Sequence, residues 1–277
     1  MLNQQPQDEI PASPYDCWVT PDGDETAQFY RTATGYCVRF PDQADFLIDV
    51  DSLSVQCIPA DGMAQDDALI LYYNSIQPML GNYRGQLHMH ASAVRCGTGA
   101  IGFLGLSRRG KTTLAGAFAS AGHPFLTEDV LSITISEDGY LVQPSRPVLR
   151  LFSDSAALLA PHEPEAESGK KISFSAQTSL PHWSRPCPLT ALFLLGPGES
   201  EITSIERLQP ADALTQLMRH SFILDVEDRP RLKAHFDRIA ALARATSCFA
   251  LDYPRRYGEL HKVIETVSTM VTGEQID

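Results

Sequence analysis

The stretch Gly105-Leu106-Ser107-Arg108-Arg109-Gly110-Lys111-Thr112 matches in full the phosphate-binding loop pattern of glycine, four free positions, glycine, lysine and a hydroxyl residue. A match of this kind would arise by accident in a chain of this length on the order of one time in a hundred. Its context also fits. The apolar run Ala100–Leu104 reads as a strand entering the loop, and Leu114–Ala119 has the composition of a helix leaving it. In such a loop the glycines let successive backbone N–H groups converge on phosphate oxygens, and the positive end of the following helix adds to that field. The pattern therefore implies a nucleoside triphosphate cradled by residues Gly105, Leu106, Ser107, Arg108, Arg109, Gly110, Lys111, Thr112 and Thr113. Lys111 would reach the β and γ phosphates, and the Thr112 hydroxyl would meet Mg²⁺.

The rest of the chain narrows the class. Its 277 residues can bury a sizeable core. A formal net charge of −12 argues against nonspecific binding to nucleic acid or to anionic membrane. No apolar run is long enough to span a bilayer, and the start, Met1-Leu2-Asn3-Gln4-Gln5, lacks the features of a secretory signal, so a cytoplasmic setting is expected. The six cysteines are scattered without metal-binding spacing and read as reduced thiols.

Read for organisation, the chain predicts an α/β protein. Residues 1–62 form a β-rich N-terminal lobe whose first dozen residues are a disordered or loosely docked arm. Residues 63–277 form the domain that carries the loop. Residues 64–80 read as a helix strained by Pro78, Leu87–Arg95 and Ala100–Leu104 as strands, and Val130–Ile135 with Tyr140–Val142 as a hairpin. Ala191–Leu195 reads as a buried strand, and 211–222, 229–247 and 257–271 read as helices. Residues 161–188, rich in Pro, Ser, Glu and Lys, are expected to form a long mobile loop or lid.

Two groups near the loop invite chemistry. His88 and His90 share one face of a strand, but without a third ligand they make a poor metal site. Glu128 and Asp129 follow the loop helix at the start of a strand, where a carboxylate can meet Mg²⁺ or a nucleophile. The absence of an Asn-Lys-x-Asp sequence weakens a GTPase reading, and no transporter-type signature occurs.

Taken in order, His90-Ala91-Ser92-Ala93-Val94, the loop, and Gly122-His123-Pro124-Phe125-Leu126-Thr127-Glu128-Asp129-Val130 resemble the C-terminal domain of HPr kinase/phosphorylase and its relatives, which include kinases of lasso-peptide precursors. The resemblance covers residues 85–152 well and the remainder in outline. It implies a P-loop kinase core with a mixed sheet flanked by helices, ATP and Mg²⁺ as cofactors, a serine hydroxyl on a peptide or small protein as acceptor, and self-association into oligomers. It also implies His90 beside the transferred phosphate, Arg150 near the phosphates, and Glu128 and Asp129 as a pair of which one takes the serine proton and the other helps hold Mg²⁺ with Thr112. Glu128 is favoured as the base and Asp129 as the one near the metal, with the reverse division left open. Lys170 and Lys171, in the expected lid, are candidates for closing over the triphosphate or for recognising an acidic peptide.

The chain departs from the family where Arg108 replaces a glycine of the loop, where Glu128 replaces an aspartate, and where the segment tied to phosphorolysis is not recognisable. Divergence of the loop and of everything after residue 152 argues for an acceptor other than HPr, and the family analogy alone makes that a lasso-type precursor. Two other classes stand beside the kinase: a noncatalytic nucleotide-binding sensor or peptide-recognition module, and a peptide-binding domain that uses no nucleotide.

Overall fold

The computed structural model describes residues 4–20, 22–152, 155, 171–175 and 180–273, with backbone alone for Phe152 and 171–175. The chain divides into two compact units, one made of Met1–Arg84 with Ile223–Leu232 and the other of Gly85–Phe222 with Lys233–Asp277.

The first unit is built on a five-stranded antiparallel meander, β1 (Asp16–Val19), β2 (Glu25–Arg31), β3 (Gly35–Phe40), β4 (Ala44–Asp49) and β5 (Val55–Pro59), paired in chain order. Alternation makes one face apolar: Ala44, Phe46 and Ile48 of β4 are buried while their neighbours are partly exposed. The expected arm is tied down from Gln4. The Gln7 amide donates to the Phe40 carbonyl at 3.1 Å and to Asp45 Oδ1 at 2.9 Å, and Gln4 Nε2 donates to the Met63 carbonyl at 2.6 Å.

The helical stretch expected at 64–80 also falls in this unit. It runs as α1 (Gln65–Leu71), a π-helical turn (Tyr72–Ile76) and α2 (Gln77–Tyr83). Pro78 explains the interruption. Its ring and missing N–H are incompatible with a regular preceding turn, and widening that turn lets α2 restart with Pro78 in its first turn.

The second unit carries an eight-stranded mixed sheet. Its path is β10 (Gly139–Gln143), β9 (Val130–Ser136), β6 (Leu87–Cys96), β7 (Gly99–Leu104), β13 (Cys187–Leu195), β15 (Ser247–Asp252) and β14 (Ser204–Arg207), with β8 (Phe125–Thr127) beside β6. Strands β7, β13 and β15 run parallel at its centre, and β10 also pairs with the start of β13, so the sheet curls back on itself.

Both faces are covered, as near-continuous apolar central strands require. On one side Ile101, Phe103, Ala191 and Phe193 pack with α3 (Lys111–Ser120) and with the helix Leu260–Thr272. On the other, Ala100, Leu104, Leu192 and Leu194 pack with α4 (Pro210–Arg219) and α5 (Arg229–Ala245). The C-terminal helix, here α6, starts at Leu260 after a short 3₁₀ turn at Tyr257–Glu259.

The span expected as one loop from 161 to 188 is not wholly a loop. Residues Lys171–Ser175 form β12, antiparallel to β11 (Val148–Phe152), and Cys187 already begins β13. The alternation of Ile172 and Phe174 with serines is a strand pattern that the polar flanks obscured. The rest of that span from 161 to 170 and from 176 to 179 lies outside the described residues. No described helix is long and apolar enough to cross a membrane.

Candidate functional site

The loop follows β7 directly. Arg109 N–H closes a turn on the Leu106 carbonyl at 3.2 Å, and α3 begins at Lys111 with Gly110 as its N-cap at φ +85°. Glycine suits position 110: that φ is left-handed, and a Cβ there would lie a tight 3.2 Å from the Tyr253 hydroxyl. Arg108 also sits at a left-handed φ of +63°. That conformation is one glycine adopts freely, and it costs a residue with a Cβ about 1 kcal/mol.

Lys111 is buried and folds back over the loop. Its Nζ donates to the carbonyls of Gly105 at 2.7 Å and Leu106 at 3.2 Å. A lysine so placed holds its charge against the loop backbone, where phosphate oxygens can replace the two carbonyls.

The adjacent strand brings the second group. Ala91 of β6 pairs with Leu104, the residue before the loop, and its N–H donates to the Asp129 carbonyl at 3.2 Å. The same carbonyl takes a hydrogen bond from His90 Nδ1 at 3.0 Å; a carbonyl only accepts, so Nδ1 carries the proton. Glu128 and Asp129 occupy the break between β8 and β9, both of which pair with β6. Here Val130 N–H donates back to the Glu128 carbonyl at 2.6 Å, and Asp129 takes a φ of +59°. Among the second unit's described non-glycine residues, Arg108 and Asp129 are those with positive φ, and both are in this site. Strained backbone concentrated at a cleft of titratable groups is a recurrent mark of function.

Arg150 of β11 ties the carboxylates together. Its Nη2 lies 2.6 Å from Asp129 Oδ2, its backbone N–H donates to Glu128 Oε2 at 3.0 Å, and its Nε is 3.4 Å from the same oxygen. The Glu128 and Asp129 side chains are almost wholly withdrawn from solvent, so this pairing neutralises charge that would be costly to bury alone.

His220, which no motif marks, belongs here too. Its carbonyl accepts the His90 backbone N–H at 2.7 Å, and its ring is held at a pKa of about 4 by burial, with the Lys111, His90 and Arg219 charges adding to the depression. It lies beyond α4, more than a hundred residues from the loop, so local sequence carries no trace of it. Ser155 was missed for the same reason. Buried, it shares hydrogen bonds with Thr113 Oγ1 at 3.0 Å and the Tyr257 hydroxyl at 3.1 Å.

His88 does not join His90 in a ligand pair. Its ring nitrogens contact Ser132 Oγ at 2.8 Å and Gln86 Oε1 at 2.9 Å, and burial pushes it down to about 4. No group of three His, Cys, Asp or Glu residues able to hold a metal occurs among the described residues. Lys170 lies outside them, and Lys171 is described only as backbone within β12.

No protein-family model matches this chain, and no curated protein matches it. Among solved structures, the Hpr(Ser) kinase/phosphatase from Coxiella burnetii aligns over 67% of this chain and 88% of its own, at 9% identity and a TM-score of 0.35. A likeness that loose fixes nothing about the site, whose reading rests on its own geometry.

Proposed function

We propose that this chain is an ATP-dependent phosphotransferase that moves the γ-phosphoryl group to a serine hydroxyl of a peptide or small protein. The observation that carries the reading is the convergence at one strand end of a complete phosphate loop, a lysine folded into it, and a buried acidic pair whose backbone is bonded to His90 and whose carboxylates are held by Arg150. Loop amides and Lys111 neutralise the phosphates, and hydrogen-bond donors fixed before the reaction stabilise charge without reorganising.

Hydroxyl and carboxylate oxygens are the donors that Mg²⁺ prefers; Thr112 and Asp129 would hold the ion, and when bound it would screen the phosphate charge. Glu128 takes the proton of the incoming serine. His90, its Nδ1–H committed to the Asp129 main-chain carbonyl, fixes the backbone that carries the acidic pair and stands beside the transferred phosphate. Arg150 balances the pair between turnovers and can follow an acid to a phosphate. The acceptor we favour is a ribosomally made precursor peptide of the lasso type, a choice taken from the sequence resemblance alone.

Intact-mass measurement of serine-containing precursor peptides, and of HPr, after incubation with the protein, Mg²⁺ and ATP tests the proposal. A gain of one phosphoryl mass on the acceptor is expected. Glu128→Ala and Asp129→Ala should abolish it while nucleotide binding survives, and unchanged transfer in both variants would sink the assignment. A second reading, a nucleotide-binding module without transfer, is favoured by the Arg150 clamp on both carboxylates. It expects tight binding of ATP and no change in acceptor mass.

A further inference from the structure

The site has two ends, and only one has been assigned. Along the sheet, β6 with His90 lies on one side of β7, while β13 and then β15 lie on the other. At about 4.8 Å per strand, β6 and β15 are roughly 14 Å apart, comparable with the reach of an extended nucleotide. The group that receives the serine proton is on the β6 side, so the γ-phosphate belongs there. The α-phosphate and the nucleoside must then run the other way, past the first turn of α3.

What lies that way is the segment after β15. Tyr253 sits under Gly110, with the Arg255 guanidinium 3.8 Å from its ring centroid. Arg255 is in turn fixed by a 2.7 Å hydrogen bond to the Gly196 carbonyl. Two residues further on, the Tyr257 hydroxyl meets Ser155 Oγ, which meets Thr113 Oγ1 in the first turn of α3. Ser155 is only 2% exposed, so its hydroxyl is a fixed bridge between the loop helix and the phenol. Tyr257 is 37% exposed. An aromatic ring anchored by its polar tip and partly exposed offers a π-surface for stacking, and every nucleobase has a π-face to meet it.

We propose that Tyr257, held in place through Ser155 and Thr113, is the platform for the base of the bound nucleotide. The inference rests on the phosphate-site reading above and adds to it the direction in which the nucleotide lies. Recognition of this kind is by stacking, so it favours purine over pyrimidine by area without selecting adenine by hydrogen bonds.

Calorimetric titration separates the two claims, with Mg-ATP and Mg-tripolyphosphate as ligands of the full chain and of Lys111→Ala, Tyr257→Ala and Tyr257→Phe. Tripolyphosphate has no base. Tyr257→Ala is expected to weaken ATP about 10-fold or more and to leave tripolyphosphate unchanged. Tyr257→Phe, which keeps the ring, should stay within a few-fold of the parent for both. Equal weakening of the two ligands by Tyr257→Ala would mean that the residue merely props the loop, and no weakening of either would mean that the base lies elsewhere; each overturns the inference while leaving the phosphate site standing. If Lys111→Ala changes neither affinity, the phosphate-site reading fails first and takes the inference with it.

Discussion

Arg150 reaches Asp129 Oδ2 at 2.6 Å while its own backbone N–H donates to Glu128, so one residue of β11 holds both members of the acidic pair. The pair is shielded from solvent, and Arg150 is itself only 15% exposed in its side chain. Removing the cation leaves two carboxylates side by side in a poorly solvated place, which is the expensive way to break a buried pair. Arg150→Ala should therefore lower unfolding free energy by about 3 kcal/mol, and Asp129→Asn in that background should restore part of it. A double-mutant cycle by denaturant unfolding checks this; additive effects would mean that the ion pair is not coupled in solution.

Arg108 holds a left-handed φ in which glycine is at ease. Arg108→Gly should relieve that strain against a more flexible unfolded chain, leaving stability within about 1 kcal/mol of the parent. Arg108→Val, β-branched at the same φ, should cost more than Arg108→Ala. Thermal melts of the three variants give the order, and a valine variant as stable as the glycine one would show that the loop reshapes freely.

The sequence made the central strands, the loop and its helix readable because each has a local signature: apolar runs, a glycine spacing, a composition change. The neighbourhood of His90, Glu128 and Asp129 was legible only as three separate segments, and register alone joins them, through Ala91 opposite Leu104. His220, Ser155 and Tyr257 reach the loop from far along the chain, and no periodicity encodes such approaches. The strand at 171–175 was lost to the polar composition around it. Short strands of the N-terminal meander were visible as β-prone runs, yet their order was not, since pairing depends on turns and on which face is buried.

Asp225 anchors a separate network in the first unit. It accepts both 2.8 Å contacts from Arg31 Nη2, the Tyr36 hydroxyl at 2.9 Å and the Glu227 N–H at 2.8 Å. Its own burial works against the charged form, but the Arg31 hydrogen bond, backed by Glu227 and Tyr36, holds its pKa below the ordinary value. Arg31 is half exposed and can return to water, whereas the Tyr36 hydroxyl is buried and would lose its partner. Asp225→Ala should cost about 2 kcal/mol, chiefly through that hydroxyl and the orphaned N–H groups, and Tyr36→Phe should cost less alone and almost nothing further in the Asp225→Ala background. Chemical denaturation of the single and double variants decides it, and a full additional loss from Tyr36→Phe would show that the two do not share their energy.

Acid should weaken the protein well before its carboxylates titrate. His88, His220 and His235 are each pushed down to about 4, in every case mainly by burial. The unfolded chain binds these protons at about 6.5, so between 6.5 and 4 the unfolded state holds more of them than the folded one. The sign follows: stability is complete above about 6.5 and falls as pH drops toward 4, by up to roughly 1.4 kcal/mol per pH unit for each histidine. The depressed Asp225 carboxylate acts later, its contribution being lost only below the ordinary carboxylate range. Unfolding free energies measured at steps from pH 7.5 to 4.5 should therefore bend downward near 6.5. In His235→Asn the slope below the bend should decrease by one proton's worth, even though the parent stability also drops. A flat profile down to pH 5 would mean that these rings are protonated in the folded protein, and with them the neutral His220 ring placed beside Lys111.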